Sequence, residues 1–127
     1  MKKQTYLFLS LLLIFKFPAF SQKAKKFTVP DIPGYLTLKG DFHMHTVFSD
    51  GLVWPTVRIG EAVNEGIDII AATDHIEYRP HLKDMPSDLN RSYDIEKPIA
   101  EKNNILLVKA AEITRSMPPG HFNALFI

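Results

Sequence analysis

Four of the five histidines in this 127-residue chain lie in short motifs that also carry carboxylates. The chain contains no cysteine, so these motifs offer imidazole and carboxylate donors to a metal. Such donors suit zinc, manganese or iron, and they can leave a coordination position open for water. The sequence therefore predicts a hydrolytic metal site. The predicted metal ligands are His43, His45, Asp50, His75, Glu112 and His121.

The first motif places His43 and His45 two residues apart. On an extended segment, side chains at this spacing point to the same side, so both imidazoles can bind one metal. Such a pair also occurs on ordinary protein surfaces, and here the acidic neighbours favour a metal site. Asp50 precedes Gly51 in a predicted turn that can bring its carboxylate back to the histidines. Asp41 is placed to orient an imidazole without binding the metal.

The predicted elements bring these motifs to one edge of a sheet. Apolar patterns predict four strands and two helices, the second helix capped by Ser92 or Asp94. The strands lie at 35–42, 67–72, 105–110 and 122–127, and the helices at 55–66 and 92–102. Strands that alternate with helices are parallel and joined by right-handed crossovers. Because each candidate ligand lies just after a strand, we expect the ligands to meet at the C-terminal edge of the sheet.

The first 21 residues have the pattern of a secretory signal peptide. A basic start precedes an apolar run at 6–15, and Ala19 and Ser21 stand at the −3 and −1 positions of a cleavage site. The apolar run is shorter than the ~20 residues needed to span a membrane. We therefore expect a mature chain that begins near Gln22, is not held in a membrane, and works in the periplasm or outside the cell.

The charge balance argues against a nucleic-acid partner. Net charge is +1, and it becomes −2 once the three lysines of the predicted signal peptide are set aside, because 12 basic residues then face 14 acidic ones. Such a chain lacks the basic field that binds nucleic acid. The sequence makes no prediction about oligomeric state.

Taken together, the motifs resemble the PHP family, the polymerase and histidinol phosphatase superfamily. Its members carry His-x-His followed by Asp-Gly, then Asp-His, then a glutamate and then a histidine. The matching residues here are His43 and His45, Asp50 and Gly51, Asp74 and His75, Glu112, and His121. The resemblance covers 40–123, and the sequence around the motifs, including 115–120, is similar to a secreted bacterial phosphodiesterase branch.

The resemblance implies the N-terminal part of a distorted (β/α)7 barrel with two or three divalent metal ions, zinc, manganese or iron. It implies hydrolysis of small-molecule phosphoesters, in particular phosphodiesters, by a metal-activated hydroxide. By analogy, His43 and His45 bind the first metal, and Glu112 bridges it to the second. The remaining ligands are His121 for the second metal and, for the third, Asp50 and His75.

The same resemblance implies that Glu112, His121 and Arg115 are catalytic. A guanidinium matches the geometry of a phosphate, so Arg115 and Arg79 are candidates to hold the substrate. Either arginine can instead form an exposed salt bridge. The fifth histidine, His81, lies in a long polar segment at 76–91 and is interpreted as a loop residue.

The chain departs from the family in its length. A seven-stranded barrel needs more residues than signal cleavage leaves, and the family's later motifs, a further histidine or cysteine and a terminal Asp-x-His, are absent. We therefore expect the N-terminal part of a longer protein, with a signal peptide at 1–21, an extended lead-in at 22–34 and part of a phosphoesterase domain at 35–127. The first and third metals would then each lack a ligand, and this chain alone can be inactive.

Two other functions fit part of the pattern. Amidohydrolase barrels also begin with His-x-His after the first strand, but they do not call for the Asp50-Gly51 pair that follows it here. A truncated, non-catalytic metal-binding fragment would keep the ligands without turnover. Activity toward a phosphodiester or toward an N-acyl substrate distinguishes these possibilities.

Overall fold

The computed structural model describes residues 27–118 and 120–127, so the predicted signal peptide lies outside the described residues. Within them the elements follow each other in the predicted order. The strands are β1 (Gly40–Met44), β2 (Ile69–Ala72), β3 (Leu106–Ile113) and β4 (Phe122–Leu125), and the helices are α1 (Pro55–Glu65) and α2 (Arg91–Lys102). Across these described ranges, no helix has both the length and the apolar character required to cross a membrane.

The strands form one sheet in the order β1-β2-β3-β4. β1, β2 and β3 are parallel, as predicted, and Ile70 of β2 pairs with Asp41 of β1 and Leu107 of β3. β4 runs antiparallel to β3, with Glu112 opposite Asn123. The prediction of parallel strands is wrong for β4, because a short loop joins it to β3 and a parallel connection needs a longer crossover.

The observed strands place three predicted ligands inside or before a strand rather than after one. β1 spans Gly40–Met44 rather than 35–42, so His43 lies inside it. β3 extends to Ile113 and includes Glu112, and His121 precedes β4. The prediction that each ligand follows a strand is therefore wrong for these three. Sheet hydrogen bonds come from the main chain, so a polar side chain at the edge of a sheet does not end the strand.

Helix α1 lies where the sequence predicts it because both of its ends are determined locally. Pro55 occupies the first turn, where its missing N–H would have no helical partner. Gly66 follows the helix at φ 68°, and its N–H bonds to the carbonyls of Ala62 and Val63. Ile59 and Ala62 form the buried face.

Helix α2 begins upstream of both predicted caps, so that Ser92 and Asp94 lie inside it and neither caps it. Pro98 also lies inside the helix, on its exposed side. A proline there removes one main-chain hydrogen bond and crowds the preceding turn. The helix continues past it, and Glu96 and Ala100 are buried on the inner face.

The hydrophobic core explains how the sheet curves. Its buried residues are Ile59 and Ala62 of α1, Ile70 of β2, Ala100 of α2, and Ile105 just before β3. Because both helices contact this one cluster, both cover the same face of the sheet. Crossovers on a single face curl a parallel sheet toward a barrel, whereas an open doubly wound sheet carries helices on both faces.

Candidate metal centre

His75 lies directly beside Glu112, because the chain beyond β2 continues alongside β3. The N–H of Glu112 donates to the carbonyl oxygen of Asp74 over 3.1 Å, and the N–H of Ile76 donates to the carbonyl oxygen of Glu112 over 3.0 Å. These two bonds make His75 and Glu112 parallel bridge partners. Main-chain pairing therefore fixes the relative position of an imidazole and a carboxylate that are distant in sequence.

Three imidazoles converge on the carboxylate of Glu112. Its Oε2 lies 2.9 Å from Nε2 of His43 and 3.0 Å from Nε2 of His45. Its Oε1 lies 2.7 Å from Nδ1 of His121. We call these four residues the Glu112 group. The two oxygens of one carboxylate thus face different histidines.

The surroundings of Glu112 keep it ionised. Burial raises the pKa of this carboxyl, but hydrogen bonds from His43 and His121 and the charges of His75 and His45 outweigh that effect and lower the pKa below its usual value. The glutamate is 2% exposed. A buried carboxylate that stays charged is suited to bind cations.

A second set of ligands, His45, Asp50 and His75, adjoins the first, and we call it the Asp50 group. Nδ1 of His45 lies 3.3 Å from Oδ1 of Asp50, and Nε2 of His75 lies 3.5 Å from Oδ2 of the same carboxylate. His45 belongs to both groups, with Nε2 toward Glu112 and Nδ1 toward Asp50. A neutral imidazole has one lone pair and one N–H, so His45 can bind a metal on one side and donate to a carboxylate on the other.

His45 is held in the form that binds metals. Burial lowers the pKa of its imidazole, and the neighbouring charge of His75 lowers it further. Asp50 and Glu112 act in the opposite direction, but the net shift is downward. The imidazole is therefore neutral near pH 7, with a lone pair available.

Asp74 shapes the loop at 46–51 that presents Asp50, which we call the Asp50 loop. Oδ1 of Asp74 accepts hydrogen bonds from the N–H of Thr46 over 2.6 Å and from the hydroxyl of Ser49 over 2.7 Å. Its Oδ2 accepts one from the Thr46 hydroxyl over 2.6 Å. Thr46 and Ser49 are fully buried. The aspartate of the Asp-His motif therefore positions the loop that carries a predicted ligand.

Gly51 lets the Asp50 loop lie against the end of β1. A Cβ at this position would stand 2.5 Å from the carbonyl carbon and oxygen of His45, closer than a side chain tolerates. The Nε of Arg58, on α1, donates to the same carbonyl oxygen over 2.9 Å. Glycine after Asp50 is thus required by the close approach of the loop, and α1 fixes the peptide that carries His45.

The donor chemistry of both groups fits divalent metal ions. His43, His45 and Glu112 offer ligand atoms that all lie within 4.8 Å of one another, and so do His45, Asp50 and His75. Nitrogen and carboxylate oxygen donors without sulfur suit zinc, manganese or iron. A cleft of about 490 Å³ opens beside β1 and α1, and its lining includes His43, His45 and Arg58. The structure therefore brings all six predicted ligands into two adjoining groups.

The two predicted substrate-binding arginines have different surroundings. Arg115 is exposed in the loop between β3 and β4. Arg79 instead directs Nη2 to the carbonyl oxygen of Ser87 over 2.9 Å and to its hydroxyl over 2.6 Å. Its Nε donates to the carbonyl oxygen of Phe48 over 3.4 Å. We therefore assign Arg79 a structural role, which is to attach the long loop after β2 to the Asp50 loop.

Asp41 and His81 complete the predicted residues. Oδ1 of Asp41 accepts a hydrogen bond from the backbone N–H of His43 over 3.0 Å, so this aspartate orients the main chain rather than an imidazole. His81 is an exposed loop residue, as predicted. Neither belongs to the Glu112 group or the Asp50 group.

Sequence reasoning missed three residues that support the site, which are Thr46, Ser49 and Arg58. The two hydroxyl residues lie within the predicted turn, but their acceptor on Asp74 is 28 and 25 positions away. Arg58 resembles any arginine on a helix surface until its bond to His45 is seen. Only the short spacing between Thr46 and Asp50 was a local signal that these residues act together.

No family model and no curated protein matches the chain. Among solved structures, it is similar to a two-domain protein from Bacteroides vulgatus that contains a predicted PHP-like metal-dependent phosphoesterase. The identity is 61% and the TM-score 0.79, and the match covers 84% of this chain and 31% of that one. A proposed metal-dependent phosphoesterase from Bifidobacterium adolescentis is 26% identical with a TM-score of 0.50, over 68% of this chain and 27% of that one.

A third similar structure is an amidohydrolase from Chromobacterium violaceum. It is 22% identical with a TM-score of 0.51, over 67% of this chain and 26% of that one. At this identity the likeness shows a common fold and carries no argument about activity.

The chain spans less than a third of the length of the Bacteroides protein. The 61% identity over 84% of this chain confirms the predicted family and fold: the chain belongs to the PHP superfamily of metal-dependent phosphoesterases and forms the N-terminal part of its barrel.

Proposed function

We propose that this chain supplies much of the active site of a hydrolase that cleaves small-molecule phosphodiesters with the help of two or three divalent metal ions. The observation that carries the proposal is the convergence of three imidazoles on Glu112, next to the Asp50 group. When bound, paired metal ions lower the pKa of a water molecule to about 7 and stabilise the charge that develops on phosphate oxygens. The residues of this chain would hold those metal ions and orient the water molecule.

The exposure of the ligands indicates which side faces the substrate. The side chains of His43 and His121 are each 57% exposed, whereas that of Glu112 is 3% exposed. Glu112 therefore forms the floor of the site, and the two exposed imidazoles stand at its opening. A substrate that approaches from solvent meets the histidines first. Water reaches the same place, as hydrolysis requires.

The proposed ligand sets follow the contacts in the two groups. His43 and His45 use Nε2 on the Oε2 side of Glu112, and His121 uses Nδ1 on the Oε1 side. Glu112 would thus be shared between a first and a second metal. Asp50 and His75 would hold a third. His45 would donate from Nδ1 to Asp50 and so connect the first and third sets.

Arg115 is the proposed phosphate contact. It lies three residues after Glu112, in the exposed loop that joins β3 to β4. A guanidinium in that position offers paired donors to phosphate oxygens. The preference for diesters rests on the similarity of the sequence at 32–35, 75–80 and 115–120 to secreted bacterial phosphodiesterases.

The test is an assay of this chain alone and of a longer form in which the rest of the barrel follows it, each loaded with zinc, manganese or iron(II). The substrates are bis(p-nitrophenyl) phosphate, p-nitrophenyl phosphate and an N-acyl amino acid. We expect metal-dependent cleavage of the diester by the longer form, lost in Glu112→Gln and kept in Glu101→Gln, whose carboxylate is exposed on α2. Cleavage of the N-acyl substrate alone would support the amidohydrolase alternative. Metal binding without any turnover would support the non-catalytic alternative.

We also propose, from the sequence at 1–21, that the protein is secreted or periplasmic. N-terminal sequencing of the protein recovered from the periplasm or medium should start near Gln22. Recovery from the cytoplasm with Met1 retained would contradict this proposal.

A further inference from the structure

The imidazole of His75 has a polar contact at each of its two nitrogens. Nδ1 lies 2.5 Å from the hydroxyl oxygen of Thr114, and Nε2 lies 3.5 Å from Oδ2 of Asp50. His75 is 7% exposed, so water does not compete freely for either nitrogen. The contact at Nδ1 is the shorter of the two, so the Thr114 hydroxyl is the closer hydrogen-bond partner of this imidazole.

Two matched pairs of residues build this arrangement. His75 and Glu77 are two positions apart beyond β2, and Glu112 and Thr114 are two positions apart at the end of β3. The bridge between His75 and Glu112 sets the register of the two segments. Two residues further on, the N–H of Thr114 donates to Oε2 of Glu77 over 2.9 Å. Glu77 thereby fixes the backbone of the residue whose hydroxyl contacts His75.

We propose that Thr114, held in place by Glu77, positions His75 so that its Nε2 lone pair is presented to a metal in the Asp50 group. Thr114 is a positioning residue, and the inference rests on the proposed metal function of that group. In this arrangement Nδ1–H donates a hydrogen bond to the Thr114 hydroxyl oxygen, and Nε2 carries no proton. Metal-binding histidines in proteins commonly donate their other N–H to an oxygen in this way.

The competing partner of Nδ1 is weaker. Oε2 of Glu112 lies 3.6 Å from Nδ1 of His75, beyond normal hydrogen-bond length, and already contacts His43 and His45 at shorter distances. The unprotonated Nε2 and the Asp50 carboxylate then face each other with lone pairs only. Such a pair of acceptors is stabilised by a cation between them.

The first test is made on the metal-free full chain at pH 8. Long-range proton–nitrogen correlation spectra identify the protonated nitrogen of each histidine. We expect His75 to be protonated at Nδ1 in the wild type and in Thr114→Ser. We expect Thr114→Val, which removes the hydroxyl and keeps the shape, to lose this preference. Protonation of His75 at Nε2 in the wild type would overturn the proposal.

The second test measures metal affinity by competition with a chelator. Thr114→Val should bind zinc about 10- to 100-fold more weakly at one site, as expected for loss of a supporting hydrogen bond. Thr114→Ser should restore the affinity, and Glu77→Ala should weaken it less than Thr114→Val does. Thr56→Val, which removes a hydroxyl in the first turn of α1, is the matched control and should leave zinc affinity unchanged.

The outcomes separate this inference from the proposed function. If Thr114→Val changes neither the protonated nitrogen nor the zinc affinity, the inference is wrong, even when the chain hydrolyses phosphodiesters. If both change as expected and no phosphoester is cleaved, the positioning role stands and the proposed reaction is wrong.

Discussion

The Nδ1 atom of His121 lies 2.7 Å from the Oε1 atom of Glu112, whereas His43 and His45 contact the Oε2 atom of the same carboxylate. This division has a consequence for metal stoichiometry. His121→Ala should remove the ligand on the Oε1 side and lower bound zinc by about one ion per chain. The zinc bound on the Oε2 side should remain. Metal analysis after gel filtration measures both.

His43→Ala is the matched comparison for His121→Ala, since both side chains are 57% exposed and each contacts Glu112. We expect it to weaken the other site instead. Loss of all bound metal in His121→Ala, or of none, would contradict the assignment of separate oxygens to separate metals.

The stabilising contribution of His45 and Glu112 to the metal-free chain should fall as the pH is lowered. The pKa values of His45 and Glu112 are both below their ordinary values of 6.5 and 4.5, so the folded state binds fewer protons than the unfolded state as acid is added. The contribution of these two groups to stability is therefore complete above pH 6.5 and declines first through His45 and then, below pH 4.5, through Glu112. Thermal unfolding between pH 8 and pH 3.5 measures this decline.

Two variants assign the parts of that decline. His45→Gln should flatten the part that begins near pH 6.5, and Glu112→Gln the part below pH 4.5. Unchanged profiles in both variants would show that other groups cause the acid sensitivity.

Glu96 should make the fold less stable as the pH rises. Both of its carboxyl oxygens are buried without a hydrogen-bond partner in the described chain. Burial and the nearby charge of Asp74 raise its pKa from 4.5 to about 8, against a smaller opposing effect of Arg58. The folded state thus holds a proton that the unfolded state releases. The resulting stability is complete below pH 4.5 and is lost as the pH rises to about 8.

Glu96→Gln cannot ionise, so its unfolding free energy should not decline between pH 4.5 and pH 8 on account of this residue. The difference in unfolding free energy between variant and wild type should therefore grow by a few kcal/mol in favour of the variant over that range. Chemical denaturation at pH 5, 6.5 and 8 makes the comparison. Parallel stability profiles for the two proteins would rule out a protonated Glu96.

The two arginines of the loops should differ in what they affect. Arg79→Ala removes bonds to Ser87 and Phe48 and should lower the unfolding free energy by about 1–3 kcal/mol. Arg115→Ala should leave the melting temperature unchanged and reduce phosphodiester turnover about 10-fold or more, because the phosphate loses a charged donor. An Arg79→Ala variant as stable as the wild type would contradict the structural role of Arg79. An Arg115→Ala variant as active as the wild type would contradict the phosphate contact of Arg115.

The sequence predicted those features that depend on local chemistry. Helix α1 has a proline at its start and Gly66 in a left-handed conformation at its end, and both signals are visible in the sequence. The six predicted ligands lie close together in the structure, as expected for residues near one edge of a sheet, and their binding of metal stays a prediction. Gly51 was correctly read as part of a turn, and its contact with His45 explains why no side chain fits.

Features that depend on pairing between distant segments could not be predicted. The antiparallel direction of β4 follows from the short return after β3, which an apolar run at 122–127 does not reveal. Asp74 accepts hydrogen bonds from Thr46 and Ser49, which lie 28 and 25 positions before it in the sequence. The contact of Thr114 with His75 spans 39 positions and carries no local signal.

The most direct test of the account is the metal content of the full chain and of its Glu112→Gln variant, because Glu112 contacts three of the predicted imidazoles. Both proteins are saturated with zinc, freed of unbound metal and analysed by mass spectrometry, with Glu101→Gln as control. We expect about two or more ions per chain in the wild type and the control, and about two ions fewer in Glu112→Gln, because only the Asp50 group keeps its ligands in that variant. A wild type without bound metal, or a Glu112→Gln variant that binds as much as the wild type, would contradict the proposed centre.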